Sequence, residues 1–213
     1  MRIVYDVIRA KRKTICVSVK DGSVVVRAPL GMTDSEIARF VEEHSAWIDR
    51  RLAEQKASED RFADVRGGRS ILVAGREKPL VLGSRKNHED ENAVCLREMK
   101  SAQRLFLAER CDLLVEKAAL FSKKTGLVPS DVSLRNYKSR WGSCDAEKRI
   151  QLNWRLAMLP DDLQDYVIVH ELCHLRHLDH SAAFWQEVAK IFPDYKMRRK
   201  RLKEFSFLTL LYR

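Results

Sequence analysis

Apolar and polar residues change their spacing along the chain, and each spacing predicts an element. Residues 14–20 (Thr-Ile-Cys-Val-Ser-Val-Lys) alternate, and Ser23-Val24-Val25-Val26-Arg27 returns after Asp21-Gly22. Period two around an Asp-Gly pair predicts a β-hairpin, which Pro29 ends. From there the period lengthens, with Ile37, Phe40, Val41, His44, Ile48 and Leu52 recurring at helical spacing. Thr33 and Glu36 stand as a capping box, each satisfying a free backbone N–H of the first turn, and Met32 and Ile37 stand as a hydrophobic staple. His44 falls on the apolar stripe, so a core or interface histidine is expected there rather than a ligand.

Residues 58–70 are polar and Gly-containing and read as a linker or long loop. Short strands are expected around Ile71-Leu72-Val73 and Leu80-Val81-Leu82, then a charged surface loop over residues 84–92 that holds His88. A long helix follows from about Ser101 to Lys124. Leu105, Ala108, Cys111, Val115 and Ala118 mark its inner face, and Gly126 stops it. Residues 132–137 and 150–155 read as two strands flanking a polar loop, and Asp161 or Asp162 caps the next helix. The apolar tail from Phe205 to Tyr212 is expected to pack on the body. The pattern is that of an α+β protein: a β-rich N-terminal part with one long helix (residues 1–98), then a catalytic part (residues 99–213).

The chain has 213 residues, 45% of them hydrophobic and 33% charged, enough to bury a core and too apolar for disorder. Lys and Arg outnumber Asp and Glu by 40 to 30, densest at Arg9–Lys13 and Lys196–Lys203. Such a surface attracts nucleic acid or nucleotides, or serves solubility alone. The start carries no long apolar run, and no stretch approaches the roughly 20 apolar residues of a membrane helix. Five cysteines without a C-x-x-C pair argue against a disulfide framework and for a reducing, cytoplasmic setting.

Four of the six histidines fall in His170-Glu171-Leu172-Cys173-His174-Leu175-Arg176-His177-Leu178-Asp179-His180. On a helix, positions i and i+4 lie about 6 Å apart on one face, so His170 and His174 can meet on one metal ion. Glu171 follows about 100° around the helix and reaches a water on that metal, where a carboxylate takes the water's proton. Leu163, Tyr166, Val167, Ile168 and Val169 make the approach apolar on nearly all sides, so this helix is buried. Catalytic zinc takes three protein ligands and a water. His177 shares the face but stands roughly 10.5 Å of rise from His170. His180 has the metzincin spacing, six residues past His174, and reaches the metal if the helix ends near Leu178-Asp179. Metzincins place Gly where this chain has His177. His180 is preferred, with His177 the competitor and Glu187 or another downstream acid behind them. Cys173 faces away from this metal and reads as a small core residue.

Arg140-Trp141-Gly142-Ser143-Cys144, then Ile150–Leu156, Asp165–His174, His180-Ser181 and Phe184-Trp185, resemble the YgjP-like metallopeptidase family. The N-terminal half is similar through weaker motifs, from Arg12-Lys13-Thr14 to Trp47-Ile48. The resemblance implies a zincin-like second half related to SprT and WLM domains. It implies His170, His174 and His180 as ligands of zinc or another divalent metal, and Glu171 as catalytic base. It leaves the substrate open, because some relatives are described as UTP pyrophosphatases and metal-activated water attacks peptide carbonyls and phosphoanhydrides alike. Arg135, Lys138 and Arg140 lie in or beside a strand expected near the metal, where basic groups would bind phosphates; the competing role is that Arg140 and Trp141 pin the loop to the helix. Gly142-Ser143 reads as a tight turn. The leading expectation is a metallopeptidase-type hydrolase of peptide or protein. A nucleoside triphosphate pyrophosphohydrolase comes second, and a nucleic-acid-associated binding module third.

Overall fold

Alternation decides the first elements. In strand β3 (Ser23–Pro29), Val24, Val26 and Ala28 point inward and are buried, while β2 (Cys16–Lys20) pairs with it antiparallel. A strand not anticipated from the pattern, β1 (Asp6–Ala10), pairs with β3 in parallel and completes a sheet of order β1-β3-β2. The computed structural model describes residues 3–20 and 22–211, the side chains of residues 104, 107–109 and 111 excepted. Asp21 of the hairpin turn, the Ala108 and Cys111 side chains and Tyr212 therefore lie outside the described residues.

Thr33 caps α1 (Asp34–Glu43) in a capping box: its hydroxyl accepts from the Glu36 N–H and the Glu36 carboxylate accepts from the Thr33 N–H at 2.7 Å. Ile37, Val41 and Ile48 close on β3, with Met32 and Leu52 at the edge of the same cluster. The helix does not run through to Leu52 unbroken. It stops at His44, and α2 (Ser45–Arg61) begins anew. His44 is exposed, not buried as its place on the stripe implies, and its Nδ1 lies 2.8 Å from the Phe40 carbonyl. A side chain bonded to its own helix's last turn offers that turn an alternative partner, and the break rotates the histidine off the apolar face.

The chain divides into two compact units, residues 1–63 and 64–213. The stretch read as a linker is helical for most of its length, through the end of α2 and α3 (Ala63–Arg66), because Phe62 and Val65 are buried. The boundary expected at residue 98 therefore falls inside the second unit. Strands β4 (Ser70–Val73) and β5 (Arg76–Leu82) belong there because their connection is hydrogen-bonded to the segment after residue 153: Ala74 and Gly75 donate to the Ala157 and Met158 carbonyls, each at 2.9 Å. Together with β6 (His88–Glu89) and β7 (Val94–Leu96) they form a sheet of order β4-β5-β7-β6. The long helix α4 (Ala102–Thr125) ends at Gly126, whose φ of 70° is the left-handed cap glycine adopts without strain.

Next come β8 (Asp131–Arg135), β9 (Gly142–Cys144) and β10 (Arg149–Asn153). Two strands flanking a loop would pair as a hairpin. Instead β8 and β10 run parallel, and β9, inside the supposed loop, pairs antiparallel on the far side of β10. Helix α5 (Asp161–His174) packs against α4, β9 and β10, and against α6 (Ala182–Ile191) and α7 (Tyr195–Glu204). Its N-cap is Pro160, so Asp161 and Asp162 sit in the first turn and complement the helix dipole without capping it. Leu163, Ile168 and Val169 are fully buried. Among the described residues no helix is long and apolar enough to cross a membrane.

Candidate metal centre

Helix α5 delivers His170 and His174 one turn apart. It ends at His174, four residues earlier than expected, and that early stop lets the chain turn back and bring His180 over the same face. The ring centroids of the three histidines are 4.8–5.1 Å apart. One ligating atom from each lies within 4.8 Å of the others, and Nε2 of His170 and Nε2 of His180 approach to 3.1 Å. His177 is outside this group. Its contribution is a backbone carbonyl, 2.9 Å from Nδ1 of His174. A carbonyl only accepts, so Nδ1 donates and the lone pair of His174 is left on Nε2, facing the other two rings. Nδ1 of His170 is buried with no hydrogen-bond partner among the described residues. Burial, then the neighbouring His174 and His180 charges and Arg199, push His170 down to about 3, and burial lowers His174 as well. Three imidazoles crowded around one point, each with a ring nitrogen within 4.8 Å of the others, are a donor set that zinc takes. The residues present therefore fit a divalent cation.

Phe184 is fully buried beneath all three rings, with centroids 4.5–4.9 Å away, and Ser181 caps its helix by accepting from the Phe184 N–H. Trp185 flanks His170 and His180 at 5.8 and 5.6 Å. These aromatic walls hold the rings and exclude water from one side. Cys173 is buried, and burial pushes its thiol up to about 12, as befits an inert core group.

Glu171 is 6% exposed and lies against β9. Burial pushes its carboxyl up to about 8, opposed by the nearby Arg140 charge. The strand can come this close because residue 142 has no side chain: a Cβ there would sit 2.7 Å from both Cγ and Oε1 of Glu171. Gly142 is thus not a tight turn but a strand position opened for the carboxylate. Cys144, two residues on, feels the same carboxylate, and burial first and Glu171 second raise its thiol to about 11.

Of the three basic candidates, the structure brings Arg140 to the site. Its guanidinium lies over the Tyr137 ring, 5.5 Å from the centroid, and has no acidic partner among the described residues. Arg135 and Lys138 are exposed, and no ion pair or hydrogen bond of theirs reaches the histidines or Glu171 among those residues. The loop is pinned, but not by the Arg140 side chain. Fully buried Asn153 donates its amide to the Tyr137 and Arg140 carbonyls, each at 2.9 Å, and its backbone N–H donates to the Trp141 carbonyl at 2.8 Å. Buried Arg155 donates to Asn136 at 2.6 Å and to the Leu211 carbonyl at 2.7 Å, tying in the C-terminal tail. Sequence reasoning passed over both, although an Asn and an Arg inside the apolar run from Ile150 to Leu159 signal buried polar work.

The family described as "YgjP-like, metallopeptidase domain" matches residues 13–205. Among solved structures, the metallopeptidase zymogen of Pyrococcus abyssi abylysin is 25% identical over 42% of this chain and 90% of its own, with a TM-score of 0.39. The metallopeptidase zymogen of Methanocaldococcus jannaschii jannalysin is 20% identical over 45% of this chain and 96% of its own, with the same TM-score of 0.39. No curated protein matches the chain.

Proposed function

The chain belongs to the YgjP-like metallopeptidase domain family, and from that premise we propose that it is a zincin-like hydrolase that cuts peptide bonds with a divalent cation, zinc by the donor set, held by His170, His174 and His180. The observation that carries this reading is the convergence of three imidazoles within 4.8 Å, with a buried carboxylate from the next residue of the same helix. The cation, when bound, supplies Lewis acidity that makes a water nucleophilic at neutral pH and polarises the oxygen under attack. Glu171 would serve there as the base that accepts a proton from water. Burial raises its proton affinity, which makes this carboxylate a stronger base than an exposed one. The same carboxyl, once protonated, delivers the proton to the departing amine. Gly142 fixes where Glu171 stands, and Phe184 and Trp185 fix the histidines.

One observation favours the alternative of a triphosphate substrate: Arg140 stands near Glu171 but forms no ion pair among the described residues, and its fork suits phosphate oxygens. Two substitutions test the scheme. Glu171→Gln should keep about one zinc per chain while peptide turnover falls roughly 10²–10⁴-fold, the contribution of a positioned base. His170→Ala should lose the zinc. A Glu171→Gln protein that sheds its metal, or keeps full turnover, defeats the assignment. Saturable pyrophosphate release by a parent that cuts no peptide moves it to the second reading.

A further inference from the structure

Two of the arginines on α7 are paired with acids, and a third stands on an aromatic ring beside the metal centre. Arg198 pairs with Asp194 at 2.9 Å, and Arg201 pairs with Asp162 at 2.5 Å. Across the site, Arg176 and Lys190 share Glu187 at 2.6 Å each. Arg199 is exposed and has no acidic partner among the described residues. Its guanidinium lies instead over the ring of Trp185, 4.9 Å from the centroid. That indole is the one flanking His170 and His180, and it also stacks on Tyr195 at 5.1 Å with the planes 13° apart. Tyr195 and Arg199 are one turn apart on α7, so one helix face brings both to the same ring.

A guanidinium seated over an aromatic ring can still offer N–H groups to an oxyanion, and the ring beneath it restricts rotamer freedom that binding would otherwise cost. With no ion pair among the described residues, Arg199 presents a cation one ring away from two of the three histidines.

We propose that Arg199, seated on Trp185, is a substrate subsite that takes a carboxylate of the peptide, terminal or side-chain, through two parallel N–H bonds. The assignment rests on the peptidase reading. A carboxylate there belongs to a residue close to the bond being cut, since each extended residue spans only about 3.3–3.6 Å. Phosphate oxygens have the same chemistry and form the control.

The test uses the full-length, zinc-loaded protein carrying Glu171→Gln, so that peptide is bound without being consumed. Affinities are measured by calorimetry and tryptophan fluorescence for short alanine peptides as free acids, as C-terminal amides, and as amides carrying Glu or Gln. Inorganic phosphate is titrated alongside. Acid should bind at least about tenfold tighter than amide, the factor expected of a charge-assisted pair. Arg199→Gln should reduce that preference to within about twofold at unchanged zinc content. Arg199→Lys should recover only part of it, because an ammonium has no fork and stacks poorly. An acid preference equal in parent and Arg199→Gln overturns the proposal, and so does the absence of any Arg199-dependent binding. Phosphate binding that needs Arg199 while carboxylates ignore it overturns the carboxylate assignment. Zinc content and turnover of the Glu171-bearing protein are read separately, so failure here is distinguishable from failure of the hydrolase reading.

Discussion

Adding one methyl group at Gly142 should do more harm than its size suggests. The backbone there has no positive φ, so alanine meets no conformational strain, and in an ordinary strand the change would stabilise by about 0.5–1 kcal/mol. Here the new Cβ falls 2.7 Å from Cγ and Oε1 of Glu171 and 2.8 Å from its Cδ. Contacts under 3.0 Å are not tolerated, and the whole carboxylate arm is involved, not a free end. Glu171 is 6% exposed and has little room to retreat. Overpacking of this kind costs about 1–3 kcal/mol. The carboxylate that yields is the proposed base, and a displacement near 1 Å lowers turnover by about 10²-fold. Gly142→Ala should therefore lower the urea midpoint, lower kcat and leave zinc in place, because the histidines stand on other atoms. A double-mutant cycle isolates the cause: in a Glu171→Ala background the methyl has space, and Gly142→Ala should become neutral or stabilising. A destabilisation of the same size in both backgrounds would refute the argument, as would a stable, fully active single mutant.

The other expectations are as specific. His180→Ala should weaken zinc by orders of magnitude in a competition titration, while His177→Ala should change it by no more than about threefold, since His177 offers only a backbone carbonyl to His174. Asn153→Ala should cost about 1–3 kcal/mol in urea unfolding at unchanged m-value, because it removes the donor of the Arg140 carbonyl and leaves the Tyr137 carbonyl only the longer bond from Arg155 at 3.4 Å. Glu89 gives the pH signature. Burial pushes its carboxyl up, but hydrogen bonds and charges from Lys78 and Arg110 outweigh that and hold it below its ordinary 4.5. A depressed carboxylate contributes stability that is fully present above about 4.5 and lost as the pH falls through its lower folded value. Glu89→Gln should therefore show a shallower loss of stability below pH 4.5 than the parent, measured by chemical denaturation across that range.

Local patterns were enough wherever a few neighbouring residues settle the outcome. The Thr33–Glu36 box, the Gly126 stop and the Ser181 cap are satisfied within one turn, so their spacing in the sequence is their geometry. The His170–His174 pair is legible for the same reason, because helical pitch alone sets it. Choices made by distant partners were not legible. Nothing local shows that β8 and β10 run parallel with β9 outside them, and that pairing is what carries Gly142 onto Glu171. The apolar stripe through His44 could not show the helix break that turns the histidine outward. The preference for His180 over His177 follows helix rise, but its position against His170 depends on α5 ending at His174 and on Phe184 packing beneath the rings. Among the basic residues, composition marked a cluster and tertiary pairing chose within it. Asp162 and Asp194 absorb Arg198 and Arg201, while Arg140 and Arg199 are left on aromatic rings beside the site. Charge can be counted in a chain, but whether a charge is spent depends on which acid the fold brings within reach.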